Sequence, residues 1–84
     1  MLYYEFTFRS LTTSQLGRNV LLSAGIDAEL LRASASVSGR GCAYVLRVSG
    51  AAGVRAASVL HASGIYYAHS YRIYPGGIAE EAGL

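Results

Sequence analysis

One cysteine, Cys42, is the residue of this chain best suited to covalent chemistry, and a short polar stretch precedes it. That stretch consists of Ser38, Gly39, Arg40 and Gly41. A free thiol has a pKa of about 8.5 and is only slightly ionised at neutral pH. Because glycine leaves backbone amides accessible and arginine favours a thiolate, the stretch predicts a lowered pKa for Cys42. The competing interpretation is that Cys42 is a small buried residue at the start of a strand.

The two histidines, His61 and His69, are predicted to be structural. Neither has a cysteine or an acidic residue close in sequence at the spacing of metal ligands, although a pairing of Cys42 with His69 in space stays open. A single cysteine excludes an internal disulfide and a cysteine-based structural zinc site. The glycines around Arg40 lack the lysine and hydroxyl residue of a phosphate-binding loop. We therefore expect no metal and no cofactor.

Charge and hydropathy narrow the choice of partners. The seven basic residues are all arginine, the net charge is +2, and no two basic residues are adjacent. Nucleic-acid binding usually requires a concentrated basic patch, so we expect no nucleic-acid partner. The chain contains no secretory leader pattern and no apolar run long enough to span a membrane. A cytoplasmic protein without membrane contact is the resulting expectation.

The strands and helices that position Cys42 can be predicted from hydrophobic periodicity and from residues that favour turns and helix ends. Thr12 and Gln15 have the spacing of a helix-initiating capping box, and Gly25 and Gly64 are natural helix stops. The pattern predicts strands at 2–8, 27–32, 43–48 and 66–74, helices at 12–24 and 50–63, and a loop at 33–42. Cys42 therefore closes a loop directly before the third strand.

The chain reads as two similar halves. The segment 20–26, Val-Leu-Leu-Ser-Ala-Gly-Ile, aligns with 59–65, Val-Leu-His-Ala-Ser-Gly-Ile. Two split βαβ units predict an α+β, ferredoxin-like fold with a four-stranded antiparallel sheet and both helices on one face. Residues 1–74 form the predicted single domain, and 75–84 a tail that is disordered or makes one helical turn.

The other face of the sheet, here called the helix-free face, is predicted to be rich in tyrosine and arginine. Strand alternation assigns to it Tyr3, Glu5, Arg47, Tyr66, Arg72 and Tyr74. Such a surface suits a protein interface or a homodimer. It could also stack RNA bases, but the aromatic pattern of RNA-recognition motifs is absent from the third strand.

Several segments resemble the small bacterial family described as selenium/sulfur carrier-like, a domain otherwise of unknown function. The resemblance covers about residues 2–73 and includes the opening strand at 3–8, the helix end at 22–26 and the strand at 27–32. The most specific part is the Ser/Gly-rich loop at 37–42, in which Cys42 precedes Arg47 by five residues.

The resemblance implies a non-enzymatic carrier that holds a persulfide or selenosulfide on Cys42. A donor such as a cysteine desulfurase would load the thiol, and an acceptor protein would unload it. In this interpretation Cys42 is the nucleophile, Arg40 lowers its pKa, and Ser38, Gly39 and Gly41 supply flexibility and backbone donors. The alternative function is an interaction or ligand-sensing module that dimerises through the helix-free face, with a structural Cys42.

Overall fold

A computed structural model describes residues 1–33 and 43–84, which form five strands and two α-helices. The elements are β1 (Tyr3–Phe8), α1 (Leu11–Ser23), β2 (Glu29–Arg32), β3 (Tyr44–Ser49), α2 (Gly53–Ala62), β4 (His69–Ile73) and β5 (Ala79–Glu81). A single 3₁₀ turn, Gly50–Ala52, precedes α2. The class predicted from sequence, mixed α+β, is confirmed.

The strands form one antiparallel sheet in the order β2-β3-β1-β4-β5. The prediction of four strands was wrong, because Ala79–Glu81 pairs with β4 instead of making a helical turn. The turn that joins them uses Gly76 and Gly77 at positive φ, 94° and 86°, a conformation that glycine adopts without strain. The Tyr74 N–H donates to the Ile78 carbonyl at 2.9 Å and closes the hairpin.

Helix α1 begins earlier than its capping-box pattern predicted. Ser10 is the N-cap, and its hydroxyl oxygen accepts a hydrogen bond from the Thr13 amide at 3.3 Å. Thr12 therefore lies inside the first turn instead of capping it. Ser10 satisfies one of the free amides that every helix start exposes, so it performs the role that was predicted for Thr12.

The two helices end alike, as the repeat predicted. Gly25 and Gly64 both have positive φ, 80° and 72°. The amides of Ile26 and Ile65 donate to the carbonyls of Leu21 and Leu60, each at 2.9 Å. This is the Schellman arrangement, in which the residue after the glycine also packs against the last turn. The repeated Ala/Ser-Gly-Ile sequence thus forms the same structure twice.

The main core lies between the helices and one face of the sheet. Phe6 and Phe8 from β1 pack there with the remaining buried members Leu21, Ile26, Ala28, Leu46, Val48, Ala56, Ala57 and Leu60. Gly53 allows the start of α2 to approach β1, because a Cβ at this position would overlap the Tyr4 ring. Tyr4, Phe6 and Phe8 lie on the helix side, as expected from the alternation that assigned Tyr3 and Glu5 to the opposite face.

Candidate functional site

The predicted reactive stretch lies outside the described residues. Ser38, Gly39, Arg40, Gly41 and Cys42 all fall within 34–42. Their proposed roles stay predictions, and so does the choice between a reactive and a structural Cys42.

The chain on both sides of this stretch belongs to one hairpin. Arg32 is the register partner of Tyr44, and the Ala33 amide donates to the Ala43 carbonyl at 3.0 Å. Strand β2 is an outer strand of the sheet, and Ala43, the residue directly after Cys42, is exposed. The flanks of the stretch are therefore joined at the outer strand pair.

The guanidinium groups of Arg32 and Arg47 in this hairpin both contact neighbouring side chains. The Arg32 guanidinium lies 5.8 Å from the centre of the Tyr44 ring. Arg47, which the resemblance pairs with Cys42 in sequence, extends its guanidinium to Glu5 on β1. Its Nε and Nη2 donate to the Glu5 Oε2 at 2.9 and 2.7 Å. Arg47 thus serves as the counter-ion of a buried carboxylate.

Glu5 is the unexpected feature of the helix-free face. Only 2% of its surface is exposed, although the sequence pattern predicted an outward-facing polar residue. The Arg47 guanidinium also lies over the Tyr3 ring, 5.1 Å from its centre. Its position is therefore fixed by both the Tyr3 ring and the Glu5 carboxylate. Burial of a carboxylate is strongly unfavourable without a partner, which explains the two bonds to one oxygen.

Two buried polar atoms on this face have no hydrogen-bond partner among the described residues. They are the Oε1 of Glu5 and the hydroxyl of Tyr71, and their residues are register partners on β1 and β4. The apolar residues Val45, Tyr71 and Ile73 form a second small core here. Sequence reasoning missed Tyr71, because the alternation of β4 was assigned in the opposite phase.

Three of the six residues predicted for the helix-free face lie elsewhere. Arg72 lies on the helix side, where its Nε donates to the Tyr4 hydroxyl at 3.3 Å and its Nη1 to Glu80 at 2.8 Å. These bonds raise the pKa of the Arg72 guanidinium, the first more than the second. Tyr74 donates to the same carboxylate, which raises its own pKa. Tyr66 precedes β4 and is exposed.

The histidines lie beside aromatic and acidic side chains. His61 stacks on Tyr67 with ring centres 5.2 Å apart, and the His69 Nδ1 lies 3.5 Å from the Glu81 carboxylate. Burial raises the pKa of Tyr67, whose hydroxyl has no partner within the described ranges. In the part of the chain that the structure describes, no group of three histidine, cysteine or acidic residues could hold a metal ion.

Comparisons with known proteins match the chain to no family model, to no curated protein and to no solved structure. Among residues 1–33 and 43–84, no helix has the length and apolar character needed to cross a membrane.

Proposed function

We propose that this chain is a carrier that holds a sulfur or selenium atom on Cys42. The observation that supports the proposal is the hairpin geometry at Ala33 and Ala43, which joins the flanks of the stretch at an outer strand. Ala43 is exposed beside Cys42, and an accessible thiol is what a protein donor requires. In this proposal Arg40 is the residue that lowers the pKa of Cys42, and Ser38, Gly39 and Gly41 supply backbone amide donors.

We also interpret the fold as ferredoxin-like with one added strand. The strands β1 to β4 follow the order β2-β3-β1-β4, with α1 and α2 in the two crossovers. This is the arrangement of two split βαβ units, and β5 extends it beyond β4.

The transfer needs no cofactor. The Cys42 thiolate attacks the outer sulfur of a donor persulfide, and the S–S bond of the donor breaks. The donor cysteine leaves as a thiolate, and Cys42 retains the transferred sulfur as a persulfide. Attack requires the thiolate form, which is why a cationic group beside Cys42 favours loading.

Intact-mass measurement after incubation with a cysteine desulfurase and cysteine tests the proposal. We expect a gain of one sulfur atom per chain that dithiothreitol removes, and no gain in Cys42→Ser. Incubation with selenocysteine and a lyase that acts on it asks the same question for selenium. A wild-type chain that stays unmodified in both incubations would contradict the carrier function.

Association through the helix-free face is a second candidate function. The favouring observation is the second apolar cluster, around which Tyr3, Leu31, Ala33 and Ala79 are only partly buried. Light scattering at high micromolar concentration should then show a dimer. Leu31→Glu should weaken it by placing a charge in the contact, whereas Val54→Glu, on the exposed side of α2, should not. A monomeric wild-type chain would contradict this candidate.

A further inference from the structure

A cleft of about 370 Å³ lies between α1, the residues before β2 and the end of β3. Its volume falls in the range of small-molecule sites. Strand β3 begins next to the Cys42 stretch, whereas the cleft borders its last three residues, Arg47, Val48 and Ser49. Along β3, Tyr44 and Arg47 are about 10 Å apart, and the proposal for the cleft does not depend on the carrier proposal.

Two arginines line the cleft, and both are held in place by hydrogen bonds. The Arg18 Nε donates to the Ala28 carbonyl at 3.2 Å. Arg47 is fixed by Glu5 and the Tyr3 ring, as described above. Among the described residues these bonds leave the Nη groups of Arg18 and the Nη1 of Arg47 as further donors. Anchored guanidinium groups are favourable for binding a carboxylate, because little side-chain freedom is lost.

Two acidic residues line the same cleft. Asp27 and Glu29 are exposed and form no ion pair with any residue of the described ranges. Asp27 directly follows Ile26, whose amide closes the end of α1, so its backbone position is fixed. The buried Glu5 already neutralises Arg47. A ligand with two negative charges would therefore face an unfavourable balance, whereas a ligand with one charge of each sign would not.

Apart from Ser49, the rest of the wall is apolar and comes from both layers of the fold. Leu22 belongs to α1, Ala28 precedes β2, and Val48 belongs to β3. We propose that the cleft binds a small apolar amino acid as a zwitterion. Its carboxylate contacts Arg18 and Arg47, its ammonium group contacts Asp27 and Glu29, and its side chain lies on the apolar wall.

An NMR titration of the ¹⁵N-labelled chain with L-leucine tests the proposal. The expected result is saturable shifts of the amides of residues 27–29 and 47–49. Isocaproate keeps the carboxylate but lacks the amine, and isoamylamine keeps the amine but lacks the carboxylate. Each should bind at least about tenfold more weakly than leucine, because it uses only one of the two charge contacts. Equal binding of either analogue would overturn the zwitterion assignment.

Matched arginine variants test the location of the site. Arg18→Gln should weaken leucine binding by about tenfold. Arg55→Gln is the control, since Arg55 also donates to a backbone carbonyl, that of Ala24 at 2.7 Å, but does not line the cleft. Equal weakening by both variants, or no saturable shift with the wild-type chain, would overturn the proposal. Neither result bears on the loading of Cys42.

Discussion

Glu5 is a buried carboxylate that accepts both hydrogen bonds from Arg47 on one oxygen. Its replacement by glutamine should therefore lower the free energy of unfolding. Glu5→Gln removes the charge that balances Arg47 and leaves a buried amide incompletely bonded. Because about a third of the Arg47 side chain is exposed, we expect a loss of about 2 kcal/mol, below the full cost of breaking a buried pair.

Urea denaturation measures this loss as a change in the free energy of unfolding. Glu80→Gln is the matched control, because the Arg72–Glu80 pair has a similar length of 2.8 Å but an exposed acidic partner. Exposed pairs contribute little, so the control should lose less stability. Equal losses in the two variants would contradict the role assigned to burial.

The carrier proposal makes a residue-level prediction for Cys42. Its thiol should react with iodoacetamide at neutral pH faster than free cysteine, because Arg40 and the loop amides favour the thiolate. Arg40→Ala should slow the reaction several-fold, whereas Arg32→Ala, which removes a cation engaged with Tyr44, should not. A wild-type rate at or below that of free cysteine would contradict the lowered pKa.

At the scale of the elements, the ends of α1 and α2 give the same prediction at two positions, because Gly25 and Gly64 have the same conformation. Gly25→Ala should lower the free energy of unfolding by about 1 kcal/mol, because a Cβ is unfavourable at positive φ. Gly64→Ala should have a similar effect, since both sites have open space around the added carbon. Asn tolerates this conformation better, so Gly25→Asn should cost less. Thermal melts of the three variants measure these differences, and a Gly25→Asn variant less stable than Gly25→Ala would contradict the explanation.

The elements also show where sequence reasoning succeeds. Gly25 and Gly64 mark helix ends because the left-handed conformation favours glycine locally. The phase of β4 could not be predicted in the same way, since Tyr71 and Arg72 are both amphipathic. Which of them faces the helices depends on pairing with β1, where Tyr71 meets Glu5 and Arg72 meets Tyr4. Pairing between distant strands is a tertiary property.

Over the whole molecule, stability at high pH should depend on Tyr67. Its ring lies 4.8 Å from that of Phe6, and burial raises its pKa above the ordinary value of 10.0. The folded state therefore holds the phenolic proton more tightly than the unfolded state. The stabilisation is complete below pH 10 and decreases as the pH rises toward the raised pKa.

Denaturation at a series of pH values tests this expectation with Tyr67→Phe. The variant should keep its stability at neutral pH, because it removes a buried hydroxyl without a partner in the described part of the chain. Above pH 10 it should lose less stability than the wild-type chain. Parallel pH profiles for the two proteins would contradict the assignment to Tyr67.

The candidate sites differ in how far the sequence predicts them. Cys42 stands out by residue type alone, because it is the single thiol in the chain. The cleft between α1 and the end of β3 has no such signal, because Arg18 and Arg47 belong to different halves of the chain and line the same cleft only in the folded protein. Sites of that kind require the fold before their residues can be grouped.

The added strand β5 has a consequence for solubility. Without it, β4 would present a five-residue edge with free backbone groups, which is the kind of template on which amyloid-like aggregation begins. Strand β5 pairs with three residues of that edge, Tyr71, Arg72 and Ile73, and its own outer edge has three residues, of which Glu80 and Glu81 are acidic. A short, charged edge discourages the addition of further strands. The pairing of β5 with β4 therefore disfavours aggregation through the β4 edge of the sheet.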